Sequence, residues 1–180
     1  MPSIRKQTAR FIASLSLLVI TSCSGTASQC KQFANVINQA QSVKIEFETA
    51  IESAMTKASG AQGLDDLQVS AQDYIDAMDT VTAEIDTMGQ SLADINIDDE
   101  QLDEYRDSYV ATIDQLKAAF DKAQGAMQMV VEAENEEAFK KVFDQFQTQA
   151  NSAFTEIQTL DVQEGNLIEQ VNTYCAPPAE

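Results

Sequence analysis

Histidine and tryptophan are missing from this 180-residue chain, and its three prolines stand only at positions 2, 177 and 178. Without histidine there can be no His-based triad, no usual zinc ligand set and no Glu-x-x-His di-iron motif. Without proline from residue 3 to 176, and without Asn-Gly turns, the chain lacks the punctuation of a β-rich domain. Cations are scarce as well: 11 Lys+Arg face 29 Asp+Glu, for a net charge of −18. That balance argues against nucleic acid, where affinity comes from Lys and Arg neutralising phosphates. What remains is 44% apolar and 22% charged residues, the composition of one globular domain able to bury a core.

The N-terminus has a character of its own. Arg5, Lys6 and Arg10 occur without any acid in residues 1–22, and the apolar run Phe11–Thr21 follows them. This is the n-region and h-region of an export signal, and the run falls short of the roughly 20 residues a membrane-spanning helix needs. It ends in Ile20-Thr21-Ser22-Cys23, which resembles the bacterial lipoprotein lipobox. The resemblance implies cleavage before Cys23, acylation of that cysteine and, because residue 24 is Ser rather than Asp, the outer membrane if the bacterium has two. The expected layout is therefore a signal peptide (1–22), a lipidated N-terminus with a short linker (23–29), a helical domain (30–176) and a tail (177–180). Removing the leader takes away three cations, leaving 8 Lys+Arg against 29 Asp+Glu, a balance of −21. The two other cysteines, Cys30 and Cys175, stand near the two ends of the domain and suit one disulfide in an oxidising compartment. Reduced, each would serve as a small buried apolar residue.

Apolar residues recur at alternating spacings of three and four. Leu64, Leu67, Ala71, Tyr74, Met78, Val81, Ile85, Met88, Leu92 and Ile95 do so without a miss. Phe33, Val36, Ala40, Val43, Phe47, Ala50 and Ala54 form an earlier stripe, with Thr26 or Ser28 as its N-cap and Gly60 and Gly63 bracketing the turn after it. A third stripe runs from Leu102 through Tyr109 and Phe120 to Val130. A fourth runs from Phe139 to Tyr174 with Glu164 as its one fault. Asn135, followed by two glutamates, predicts the N-cap of that last helix. Between the second and third stripes the register is continuous, so two folds are open. One is an all-α antiparallel up-down-up-down four-helix bundle with a turn at Ile95–Glu100, where Asp98 and Gln101 have capping-box spacing. The other is three helices with a long middle coiled-coil rod.

Chemistry is sparse. Glu164 is the one acid on an apolar seam, and a lone buried acid is no active site. Asp94-x-Asn96-x-Asp98 has the alternation that starts a calcium loop, but Asp99 stands where glycine is needed and Tyr105 where the bidentate Glu is needed. Asp99, Asp103 and Asp107 form an i, i+4, i+8 ladder that a divalent cation would relieve. These six residues, Asp94 to Asp107, are the candidate metal ligands, weighed against a plain solvated acidic face. Met78, Met88 and Met127 fall on core stripes, and Phe139, Phe143, Phe146 and Phe154 read as core before ligand pocket. No cofactor and no enzyme activity are expected. The expectation is an extracytoplasmic, membrane-anchored accessory of an envelope protein or complex, or alternatively a binding protein for divalent cations or cationic peptides. In fold and address it resembles small helical bacterial lipoproteins, including those on photosynthetic membrane complexes.

Overall fold

The computed structural model describes residues 23–176 as four helices: α1 Cys23–Ser59, α2 Leu64–Ala93, α3 Glu100–Val131 and α4 Glu136–Cys175. The expected signal peptide, most of the lipobox and the C-terminal tail lie outside the described residues. Among the described residues no helix is long and apolar enough to cross a membrane.

The three-helix alternative with a continuous rod is overturned. The α2 helix stops at Ala93 and α3 starts at Glu100, with Asp99 as the N-cap. Its carboxylate accepts from Leu102 N–H at 3.0 Å, so the cap stands one residue beyond the Asp98 that capping-box spacing suggests. From α1, the Gln29 side-chain oxygen accepts from the N–H groups of Asp98 and Asp99, satisfying two amides that helix continuation would otherwise have used. The heptad register survives the break because Ile95 stays buried at its near side and Leu102 resumes the core at its far side.

Neighbouring helices in the chain pack face to face, whereas α1 and α4 touch sparsely. The main core runs through Phe33, Met78, Ile85, Leu92, Leu102 and Tyr109, each worth roughly 1.5–3 kcal/mol for the apolar surface it removes from water. A smaller cluster of Leu64, Ala71, Val130 and Ala133 closes the region where the α1–α2 and α3–α4 connections meet. There the Gln68 amide reaches the carbonyls of Val130, Val131 and Ala133 at 3.3, 3.0 and 2.8 Å, capping the end of α3 from α2. Asn135 caps α4, accepting from Ala138 N–H at 2.9 Å, and Glu136 and Glu137 place negative charge where the helix dipole favours it.

Helix α1 extends further back than the sequence suggests. Thr26 lies inside it instead of capping it, and the expected 23–29 linker is its first turns. The Thr26 hydroxyl donates to Asp99 Oδ2 at 3.1 Å, a partner 73 residues away that local sequence cannot reveal. Cys30 and Cys175 are joined by a disulfide with their Cα atoms 5.7 Å apart, fastening the first helix to the last. Closing a loop of that size is worth up to about 5 kcal/mol in the chain-entropy picture.

Candidate functional site

Two regions hold the side chains that chemistry could use. The first surrounds the disulfide. Asp99 is its centre: besides capping α3 it accepts from Thr26 and from the Tyr174 phenol, whose oxygen lies 2.8 and 2.9 Å from the two carboxylate oxygens. The Leu102 N–H, then Tyr174, hold the Asp99 carboxyl below the ordinary carboxylate range, and the same bond raises the Tyr174 phenol. The acids expected to form a ladder are thus engaged elsewhere. Asp99 belongs to a helix cap, while Arg106 pairs with Asp103 at 2.6 Å and with Asp107 at 2.9 Å. Asp94 is the C-cap residue of α2, and Asn96 and Asp98 are exposed in the connection. Among the described residues no group of three potential ligands converges as a metal site would require. Cys23 is the first residue of α1, and Cys30, seven positions on, is buried.

The second region is a crevice that follows from the sparse meeting of α1 and α4. Its wider part is a cavity of about 520 Å³ with walls from all four helices, among them Ile51, Tyr74, Met127 and Phe146. Met55 on α1 and Phe143 and Phe154 on α4 line its mouth and are 64%, 39% and 61% exposed. Phe143 and Phe154 therefore depart from the core expectation: the stripe they belong to is apolar, but the helix that would have covered it stands off. Phe139 and Phe146 are half-buried, and Phe139 meets both Phe143 and Phe146 with ring centroids 5.6 and 6.0 Å apart. Among the described residues no charged side chain lines this cavity. The Tyr74 phenol makes no hydrogen bond to a described residue, and burial pushes its pKa up to about 12, so it stays a neutral donor.

A smaller cavity of about 200 Å³ borders the first, with Phe47 and Ile157 lining both. Here the walls include Lys44, Glu48, Asp161 and Glu164. Lys44 is paired with Asp161 across the α1–α4 gap, which raises its pKa. Glu164, the fault in the fourth stripe, is half-buried and accepts a hydrogen bond from Tyr109, a phenol 1% exposed. Burial, then the Glu164 charge, drives the Tyr109 pKa upward. Placing an acid on the seam is tolerated because Tyr109 supplies its donor and the crevice supplies access to water. The sequence signals this acid but not its partner, which lies 55 residues away on α3.

The groups of these two regions can bind, and elsewhere Ser152 stands between Lys122 and Glu156, 3.1 Å from the amine and 3.4 Å from the carboxylate. Comparison of the chain with protein-family models, with curated proteins and with solved structures yields no match, so the functional reading rests on these residues.

Proposed function

We propose that this chain is a non-catalytic lipoprotein of a bacterial cell envelope, anchored through acylated Cys23. In this reading it is an acidic up-down-up-down antiparallel bundle serving as a structural or binding accessory of an envelope protein or complex. The observation that carries the proposal is the Cys30–Cys175 bond, which fastens the first helix to the last seven residues beyond the lipobox cysteine. A disulfide at that position suits an exported domain, and it makes the end nearest the anchor the covalently closed one. Six helical residues, Ser24 to Gln29, separate Cys23 from Cys30, about 10 Å of rise, so the closed end stands close to the bilayer. The crevice region around Phe139 to Phe154 then faces away from the membrane, where an accessory meets what it serves. The cross-helix bonds between α2 and α3 support the up-down arrangement: Gln68 with Val130, Asp79 with Gln124 and Asp86 with Lys117 climb one helix while descending the other.

The test is co-purification from membranes of the native host. The intact protein carrying a C-terminal tag is cross-linked, solubilised in mild detergent and captured. A defined envelope protein should accompany the wild type and be lost from Cys23→Ala. Recovery of the wild type alone from the soluble fraction would refute the proposal.

A further inference from the structure

We infer that the crevice between α1 and α4 is a binding site for an uncharged, single-chain lipid. This goes beyond the accessory role and stands independently of it, since the cavity is a property of the bundle and not of its anchor.

Three observations carry the inference. The first is size and shape. The wide cavity of about 520 Å³ falls within the roughly 300–1,000 Å³ typical of ligand pockets. It is also extended: the smaller cavity borders it, with Phe47 and Ile157 lining both, and together their walls reach from Phe139 to Glu164 along α4, about 38 Å of helix. A hydrocarbon chain fits such a slot. A partner helix about 10 Å across would cover the mouth and leave the interior, walled by α2 and α3, unfilled.

The second is charge. In a chain with 29 acids and 11 bases, no ionised side chain among the described residues lines the wide cavity. An ionised group inside it would be desolvated without a partner. In the smaller cavity, three acids (Glu48, Asp161 and Glu164) stand against Lys44 alone, and Lys44 is already paired with Asp161. Anionic headgroups are therefore repelled at the polar end, whereas a hydroxyl can donate to Glu48 or Glu164. The third is a donor on the apolar wall. Tyr74 lines the cavity and is half-buried, so its phenol can donate to a polar atom partway along an uncharged chain.

Two fluorophores with one naphthylamine skeleton provide the test: N-phenylnaphthylamine is neutral, and anilinonaphthalene sulfonate carries a negative charge. With the purified intact protein, the neutral probe should bind saturably at one site and the sulfonate at least about tenfold more weakly. Dodecanol should displace the neutral probe, and dodecanoate should do so at least about tenfold less well. Met55→Glu, an exposed substitution at the mouth, and Ala150→Trp, which fills the wall, should both weaken binding by about tenfold or more, while Val162→Ser on an exposed face outside the crevice should leave it unchanged. If Ala150→Trp loses its helical circular dichroism, Met55→Glu decides alone. Equal binding of the two probes, or full binding by folded Met55→Glu, overturns the inference. So does absence of neutral-probe binding, which would leave the crevice to a partner helix, and so does a dimer in sedimentation that Met55→Glu dissociates, which would assign the crevice to a second copy. None of these outcomes bears on co-purification from membranes, so the two proposals fail separately.

Discussion

Asp99 receives three donors from three helices: the Leu102 N–H, the Thr26 hydroxyl and the Tyr174 phenol. Because these bonds depress its folded-state pKa, their contribution is complete above the unfolded value of about 3.9 and fades as the pH falls through the lower folded value. Its carboxylate is well solvated, so the charge contributes modestly and the cap dominates. Asp99→Ala should cost about 1–2 kcal/mol, or a melting temperature lower by roughly 3–6 °C. Asp99→Asn keeps a capping oxygen, so its smaller deficit at pH 7 should shrink once the pH falls below about 4 in urea titrations. The two phenols in the crevice wall act at the other end of the pH scale. Tyr74 and Tyr109 both have raised pKa values in the fold, so the stability they contribute is intact below the unfolded value of about 10 and is lost as the pH climbs above it. Urea midpoints should therefore decline from about pH 10 upward. Tyr109→Phe should flatten that decline while lowering stability at pH 7 by about 1–3 kcal/mol, because Glu164 loses its donor.

At the level of elements, periodicity reports which face of a helix is apolar and is silent about what covers it. Most of the second stripe was legible: Met78, Val81, Ile85, Met88 and Leu92 are buried as their spacing predicts, whereas Leu67 and Tyr74 are half-buried and line the crevice. The break between α2 and α3 was legible only from weak helix formers, and its cap was misplaced by one residue because Asp98 and Asp99 are locally equivalent. Gln29, Thr26 and Tyr174 decide between them from far away in the chain. The crevice was not legible, since the stripes of α1 and α4 look as able to cover each other as any other pair. Glycines inside the long helices give a direct test of the packing. A Cβ at Gly165 meets nothing within 4 Å, so Gly165→Ala should gain the helix propensity of alanine, about 1 kcal/mol, and raise the melting temperature by a few degrees. At Gly125 a Cβ would stand 2.7 Å from Gln149 Nε2, whose bond to the Lys122 carbonyl joins α4 to α3. Gly125→Ala must displace that amide, and its melting temperature should stay near that of the wild type.

The whole molecule combines a strongly negative surface with a disulfide that closes 145 residues of chain and an apolar slot left open along one side. Self-repulsion on this scale makes stability depend on ionic strength, and the bridge offsets part of that cost by restricting the unfolded chain. The proposed function adds direction to this shape, with the closed end held at a membrane and the slot extending away from it. That direction depends on Cys23 more than on any other residue. The most direct measurement is the intact mass of the protein isolated from its native host without reducing agent, followed by mapping of its N-terminal peptide. The mature chain should begin at Cys23, carry the added mass of a lipid on that residue and retain the Cys30–Cys175 bond. An N-terminus at any other residue, or an unmodified Cys23, would contradict the proposed anchor and with it the orientation assigned to the bundle.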